Sequence, residues 1–309
     1  MITEKITVGE GTEYPLNGIL TLPDDLFKPV PAVVMVHGSG PSDMDGTVIK
    51  LTPFKDLAEG LAEKGIASIR YDKRTLAYAR KLMAEVGKNI TVKEETIEDA
   101  IFATEILKKN PRIDGGRIYI LGHSMGAMLA PRIDAEGADV KGYVLMAGSP
   151  YRLEDIVLRQ LKESRTRNGL INWIVGLQKK SYEKKFKGMY KMSDEAAKNK
   201  KVVGGSTLYY FKEMGEKTAV DYLEKNEKPC LILQGERDFQ VLAKDDYARF
   251  KKLLSRRPNT VFKLYPGLNH CFVEAIYYNI MQASDEYGKE RHIEGNVIGD
   301  IANFIKGRS

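Results

Sequence analysis

The sequence predicts an α/β protein whose centre is a mostly parallel, eight-stranded sheet with helices on both faces. Strand-like runs recur along the 309 residues, helical patterns separate them, and from the third run onward most are continuously apolar. Such runs are typical of parallel strands covered on both faces, and alternation with helices indicates a doubly wound sheet. The predicted strands are residues 2–8, 18–22, 32–36, 67–71, 118–121, 142–147, 230–234 and 261–265. We expect the first two to form an antiparallel lead-in.

Helical spacing of apolar residues is clear between several of these strands. Residues 54–61 and 97–107 repeat apolar side chains at intervals of three and four, which predicts one buried face on each helix. Two further helices are predicted over residues 243–254 and 296–305.

Residues 151–225 interrupt the alternation of strands and helices. They hold no convincing buried strand, several amphipathic stretches such as 170–177, and a Gly-Gly-Ser break at 204–206. We predict a mostly helical cap inserted after the sixth strand. The core of the α/β fold would then consist of residues 1–150 and 226–309.

Composition excludes several classes of protein. The chain is 43% apolar and 29% charged, and no apolar run approaches the roughly 18–20 residues needed to span a bilayer. The first eleven residues lack the apolar stretch of a secretory signal. The two cysteines, Cys230 in a predicted strand and Cys271 beside a loop histidine, do not form a disulfide framework. We therefore expect a cytoplasmic protein.

The net charge of +6 is concentrated in the predicted cap. Residues 151–225 carry 17 Lys and Arg against 10 Asp and Glu, an excess of seven, which leaves the remainder near −1. One interpretation is a nucleic-acid-binding segment. However, the lysines are scattered through helix-like sequence and no nucleic-acid-binding motif accompanies them. A solvated helical surface is the favoured interpretation, and we expect no nucleic-acid partner.

A Gly-x-Ser-x-Gly pentapeptide, residues 122–126, follows the fifth predicted strand and precedes a helix-forming run. This strand–turn–helix context is what a nucleophile elbow requires, and an ordinary glycine-rich turn is the alternative. Side chains at Gly122 and Gly126 would crowd the neighbouring strand and helix. The turn would place Ser124 at a helix N-terminus, where free N–H groups favour negative charge.

A serine nucleophile needs a general base, and the chain offers four histidines. His270 follows the eighth predicted strand and therefore lies at the sheet edge where α/β sites form. His123 should point away from Ser124, and His292 lies far from any strand end. The remaining histidine, His37, precedes the elbow. We predict His270 as the base.

The acid that orients the base should follow the seventh strand. Asp238 lies in that loop, with Glu236 as its nearest rival, whereas Asp245 and Asp246 resemble first-turn acids of the next helix. The order Ser124, Asp238, His270 along the chain is the one expected for an elbow of this kind.

The tetrahedral intermediate of acyl transfer carries an oxyanion, which requires preorganised N–H donors. One donor should be the backbone N–H of Met125, directly after the nucleophile. The other is expected from the loop after the third strand, residues 36–41 (VHGSGP), where glycines allow a close backbone approach. We predict the N–H of Ser39 as the second donor.

Together these motifs resemble the α/β-hydrolase fold superfamily. The segments HGSGP at 37–41, YDKR at 71–74 and NHCF at 269–272 are similar to those of bacterial esterases of the dienelactone-hydrolase and cinnamoyl-esterase-like group. This resemblance implies hydrolysis of carboxylic esters, no cofactor, and a triad of Ser124, Asp238 and His270. Thr75 departs from the pattern, because many relatives have glycine there.

Several further residues are candidates for substrate binding. Tyr71 and Arg74 follow the fourth strand, although an ion pair of Asp72 with Lys73 or Arg74 is an equal alternative. Trp173 either forms a pocket wall with Leu170 and Leu177 or packs the cap onto the core. His37 and Gly40 belong to the oxyanion loop. Asp43 and Asp45 resemble part of a metal-binding loop, but no further ligands cluster with them and we predict no metal.

Three alternatives to an esterase stay open at this point. An acyl thioesterase or a peptidase would use the same triad, and the basic cap favours anionic substrates such as acyl-CoA. A non-catalytic binding module on the same scaffold is the third. The expected partner is a small-molecule ester, and homodimerisation is left open.

Overall fold

Eight strands form one sheet in the order β1-β2-β4-β3-β5-β6-β7-β8. The computed structural model describes residues 1–85, 87–164, 169–202 and 205–308. The strands are β1 (Ile2–Val8), β2 (Leu16–Leu22), β3 (Val30–Val36), β4 (Ala67–Tyr71), β5 (Ile113–His123), β6 (Gly142–Met146), β7 (Cys230–Gly235) and β8 (Thr260–Tyr265).

The strand directions confirm the predicted fold. β1 pairs antiparallel with β2, and β2 pairs antiparallel with β4, whereas every later pairing is parallel. The predicted strands all exist, and the largest difference is at β5, which begins at Ile113 rather than at 118. Ile113 pairs with Val30 across a register irregularity, so the polar Asp114 and the two glycines after it lie within a strand.

Helices connect and cover the strands. They are α1 (Pro53–Glu63), α2 (Arg74–Ala77), α3 (Ala79–Glu85), α4 (Glu98–Lys109), α5 (Met125–Ile133), α6 (Leu153–Glu163), α7 (Gly169–Phe186), α8 (Asp194–Lys198), α9 (Leu208–Gly215), α10 (Ala219–Leu223), α11 (Ala248–Leu253), α12 (Ala283–Tyr287) and α13 (Gly295–Ile305). The helix predicted over 243–254 opens with a π-helical turn, Ala243–Tyr247, before α11.

Successive side chains of a strand point to opposite faces, and the central strands are apolar on both. On one face Val34 and Ile120 join a cluster with residues of α4 and α5. On the other, Met35 and Leu121 join a cluster with residues of α1 and α13. The core therefore consists of two apolar layers, one on each side of the sheet.

The segment 151–225, which we call the cap segment, contains helices α6 to α10 and leaves the sheet between β6 and β7. A buried ion pair ties it to the core, because Arg159 of α6 contacts the carboxylate of Asp246 at 2.6 Å. A second pair joins Arg132 of α5 to Glu213 of α9. That the segment acts as a cap stays a prediction. Gly204 and the side chains of Leu170 and Ile171 lie outside the described residues.

Two sequence expectations concern the chain as a whole. Cys230 and Cys271 are both free and buried, and burial raises the pKa of each thiol to about 12. Across the described ranges, every helix is too short or too polar to cross a bilayer.

Candidate active site

Ser124 lies on a tight turn between β5 and α5. Its φ of 55° and ψ of −118° fall outside the regions that L-residues normally adopt, which is typical of a strained functional position. A Cβ on Gly122 would lie 2.2 Å from the carbonyl oxygen of Gly126, and one on Gly126 would lie 2.2 Å from that of Val36. Glycine is therefore required on both sides of Ser124.

Asp238 and His270 form the second part of the site. His270 Nδ1 lies 2.7 Å from Asp238 Oδ2, and both side chains are almost fully buried. The other oxygen, Asp238 Oδ1, accepts the backbone N–H groups of Gln240 at 2.7 Å and Val241 at 2.9 Å. These bonds stabilise the carboxylate and fix its orientation. It can therefore hold the imidazole in one tautomer.

The rival acids of the sequence point elsewhere. Glu236 is about half-exposed, accepts the backbone N–H of Gly267 and lies 3.7 Å from Arg237. Asp246 is buried but is engaged by Arg159 and by the hydroxyl of Ser149. It lies in the first turn of the helical segment that begins at Ala243, as the sequence predicted, and its contacts also join the cap segment to the core.

His123 connects the elbow to the loop that carries His270. Its Nε2 lies 2.9 Å from the carbonyl oxygen of His270, and the two rings are 4.7 Å apart. Burial, reinforced by the neighbouring His270, lowers the pKa of His123 to about 3. The ring is therefore neutral and donates from Nε2. In the part of the chain that the structure describes, Nε2 of His270 itself has no hydrogen-bond partner.

Both predicted oxyanion donors border the same cavity as Ser124. This cavity has a volume of about 580 Å³, and Ser39, Gly40 and Met125 are part of its wall. Met125 is the first residue of α5, so its N–H is one of the donors that a helix leaves free at its start. A Cβ on Gly38 would lie 3.1 Å from Cβ of Ser124, which shows how closely the oxyanion loop packs on the nucleophile.

His37 does not reach the cavity. Its ring is buried, packs 4.9 Å from Phe54, and places Nε2 2.9 Å from the carbonyl oxygen of Asp43. Burial and the nearby Lys73 charge lower the pKa of His37 to about 4. The neutral ring closes the loop from 37 to 43 by donating to that carbonyl. The substrate-binding role predicted for His37 is therefore corrected to a loop-shaping one.

Tyr71 and Arg74, two further predicted substrate-binding residues at and just after the end of β4, are not part of the cavity wall. Tyr71 is buried and its ring packs edge-on against His37. Arg74 donates to both carboxylate oxygens of Asp99, at 3.1 and 2.5 Å, and to Glu98. The alternative of an ion pair is thus the better one, although the acid differs from the neighbouring one that the sequence offered.

Trp173 is 63% exposed and is not part of the cavity wall. Neither the pocket-wall nor the packing interpretation of this residue holds, because its side chain faces solvent on α7. The acids of the suspected metal loop are otherwise engaged: Asp43 accepts two hydrogen bonds from Thr47, and Asp45 pairs with Arg70.

The cavity wall is mostly apolar and is supplied by both the core and the cap segment. It includes Leu82, Met83, Ile90, Met125, Met128, Leu153, Ile156, Val157, Phe211 and Val241. Glu95 is its one charged side chain among the described residues. Glu95 and Tyr210 were not singled out from the sequence, and Lys73 was considered only as a partner of Asp72, because the three come together from positions far apart in the chain.

Comparisons with known proteins agree with this architecture. Residues 28–274 match the family described as serine aminopeptidase, S33. Esterase EstD of Thermotoga maritima is 36% identical over 290 residues, which is 94% of this chain. The chain spans 65% of the length of that relative.

Solved structures share the fold at low sequence identity. Est1E from Butyrivibrio proteoclasticus superposes with a TM-score of 0.58 at 16% identity, covering 98% of both chains. Dienelactone hydrolase from Anabaena variabilis gives a TM-score of 0.54 at 16% identity, covering 99% of this chain and 98% of that one. The eight-stranded sheet, the elbow at Ser124 and the match over 28–274 lead to one assignment: this chain belongs to the serine aminopeptidase S33 family and has the α/β-hydrolase fold.

Proposed function

We propose that this protein is a serine hydrolase that cleaves carboxylic esters through an acyl-enzyme on Ser124. The observation that carries the proposal is the hydrogen-bonded pair of Asp238 and His270, connected through His123 to a strained elbow serine that borders a cavity. The name of the relative EstD, an esterase at 36% identity, supports the same activity.

The proposed reaction follows from these positions. Ser124 Oγ attacks the ester carbonyl while His270 Nε2 takes its proton and then passes it to the leaving alcohol. Asp238 holds the imidazole and stabilises its charged form. The N–H groups of Ser39 and Met125 bind the oxyanion. Water activated by His270 then releases the acid, so the reaction needs no cofactor.

In this proposal the hydrogen bond from Ser124 to His270 forms when substrate binds. Catalytic hydrogen bonds of this kind are often long or absent in free enzymes and tighten in the substrate complex. His123 supports that closure, because it ties the carbonyl of His270 to the residue next to Ser124.

The cavity favours an apolar acyl group. Its wall is dominated by aliphatic, methionine and aromatic side chains, and its described residues include no Lys or Arg. Among the described residues, the basic side chains of the cap segment therefore do not border the cavity, which argues against recognition of the phosphates of acyl-CoA inside it.

A peptidase is the second candidate, because the matching family is described as serine aminopeptidase. The same nucleophile, base and oxyanion donors cleave amides when the leaving amine is bound and protonated. An assay that pairs each ester with the anilide of the same acid separates the two.

The test compares the purified wild-type chain with Ser124→Ala on p-nitrophenyl esters of graded acyl length and on matched anilides. We expect ester hydrolysis that falls at least about 1000-fold in kcat in Ser124→Ala. A fluorophosphonate probe should label the wild type and Ser255→Ala, an exposed-serine control, but not Ser124→Ala. Full activity of Ser124→Ala would refute the mechanism, and an unlabelled, inactive wild type would favour a binding module.

A further inference from the structure

Lys73 lies under the oxyanion loop with its side chain almost completely buried. Its Nζ lies 2.8 Å from the carbonyl oxygen of Gly38, 3.1 Å from that of Gly40 and 2.5 Å from Glu95 Oε1. An ammonium group has three donors, so all three are used. The two carbonyls belong to the residues on either side of Ser39.

Because the Gly38–Ser39 peptide bond is trans, the hydrogen bond from Lys73 to the Gly38 carbonyl also orients the Ser39 N–H. The carbonyl of Gly38 and the N–H of Ser39 belong to the same planar unit and point in opposite directions, and the described chain has no cis peptide bonds. Holding the carbonyl of Gly38 on one side therefore fixes the direction of the Ser39 N–H on the other. The positive charge also polarises this peptide, which makes its N–H a stronger donor.

The buried charge of Lys73 is balanced by Glu95, which in turn contacts the cap segment. Glu95 Oε1 accepts from Lys73, and Glu95 Oε2 accepts the hydroxyl of Tyr210 on α9 at 2.6 Å. The same hydroxyl lies 3.5 Å from the sulfur of Met125. Burial and the carboxylate of Glu95 raise the pKa of Tyr210 well above its usual value, so the phenol keeps its proton and donates.

We propose that Lys73 is a positioning residue that orients the Ser39 N–H toward the oxyanion. Glu95 and Tyr210 then link the position of Lys73 to that of helix α9 in the cap segment. The proposal rests on the proposed esterase function. It explains why a lysine, a glutamate and a tyrosine from three separate parts of the chain occupy one buried spot beside the cavity. It also assigns Glu95 a role in this network, in which each of its carboxylate oxygens accepts one hydrogen bond.

The test is a charge-neutral double variant, Lys73→Met with Glu95→Gln, which avoids leaving an unpaired buried charge. We expect kcat for a p-nitrophenyl ester to fall about 10- to 100-fold while KM stays within twofold, because misaiming one donor approaches the loss of that donor. Inhibition by an alkyl trifluoromethyl ketone, whose hemiketal oxygen mimics the oxyanion, should weaken by a similar factor.

The matched control is Arg70→Met with Asp45→Asn. This pair joins Arg70, a buried cation of β4, to a loop acid at 2.9 Å and does not touch Gly38 or Gly40. We expect it to lower the melting temperature and to leave kcat and inhibition within threefold of wild type. If the Lys73 double variant does not fold, Lys73→Arg replaces it. A planar guanidinium keeps the charge pair but cannot reach the same three acceptors, so kcat should fall about 10-fold.

Two results would overturn the assignment. One is a folded Lys73 double variant with unchanged kcat and inhibition, and the other is an equal loss of kcat in the Arg70 control. These outcomes differ from failure of the proposed function. In that case the wild type neither hydrolyses esters nor reacts with a fluorophosphonate, and the inference falls with it.

Discussion

All seven residues of β3 are buried, whereas the long cap helix α7 leaves Trp173, Ile174 and Leu177 about half or more exposed. The sheet is held together by apolar layers on both faces and by hydrogen bonds along its strands. The cap segment shares one of these apolar layers through buried side chains such as Phe211 and Leu223, and buried polar contacts, Arg159 with Asp246 and Tyr210 with Glu95, also join it to the core. Continuous apolar runs therefore predict the sheet, whereas the position of the cap helices depends on long-range contacts, both apolar and polar, that no local pattern shows.

The largest expected effect comes from a single methyl group at the elbow. In Gly126→Ala the new Cβ would lie 2.2 Å from the carbonyl oxygen of Val36, so strand and helix must separate. We expect a loss of more than about 3 kcal/mol in the free energy of unfolding and no measurable esterase activity.

The matched substitution in the cap segment is Gly176→Ala, where a Cβ meets nothing within 4 Å. Removing a glycine from the helix interior should raise the stability of α7 by up to about 1 kcal/mol and leave activity unchanged. Denaturant unfolding and an ester assay on both variants check the pair. Equal losses in the two would show that the elbow and the cap helix are under the same steric constraint.

The next largest effect is expected from breaking the buried ion pair between Arg159 of the cap segment and Asp246 of the core. Arg159→Met leaves the carboxylate of Asp246 buried without its cation, and we expect a loss of about 3 kcal/mol at pH 8. Adding Asp246→Asn should recover more than half of that loss. An exposed pair, probed by Lys179→Met, serves as the control and should change stability by less than about 1 kcal/mol.

The Arg159→Met loss should also depend on pH. Burial already raises the pKa of Asp246, and removing Arg159 raises it further. The folded variant then binds its proton more tightly than the unfolded chain does. Its stability is therefore greatest below the unfolded pKa and falls as pH rises through the folded one. Urea midpoints at pH 5 and pH 8 measure this, and a pH-independent loss would contradict the explanation.

The smallest effect is expected for Trp173→Ala. Because this side chain is 63% exposed and does not border the cavity, stability should change by less than about 0.5 kcal/mol and kcat/KM by less than twofold. Phe211→Ala is the comparison. It removes a buried ring from the cavity wall and should cost about 3–5 kcal/mol and raise KM. A large effect of Trp173→Ala on KM would restore the pocket-wall interpretation.

These differences also explain what could be predicted from the sequence. The strands from Ala67 to Tyr71 and from Ile2 to Val8 have the predicted ends, because continuous apolar or alternating runs carry a local signal. Ser124, Asp238 and His270 were placed by the same logic, since each follows its own strand. The start of β5 was missed because Asp114 and its two glycines resemble a turn.

The polar contacts around the cavity could not be predicted in this way. Lys73 has Asp72 as its neighbour in sequence, yet its acid is Glu95, and Asp72 instead accepts the backbone N–H of Met44. Nothing in the composition of either segment indicates such a partner. Trp173 failed for a related reason: helical spacing shows that apolar residues share a face, but not whether another element covers it.

The direct pairing of β6 with β7 has a consequence for how such proteins diversify. β6 and β7 are parallel neighbours, with Tyr143 paired to Cys230 and Met146 to Leu233, so the 75-residue cap segment leaves the sheet at the carboxyl end of β6 and returns at the opposite edge, where β7 begins. Any segment that connects the end of β6 to the start of β7 keeps the sheet, the elbow and the His270 loop in register. Recombination could therefore exchange the whole segment in one event and alter substrate choice while the chemistry is inherited intact.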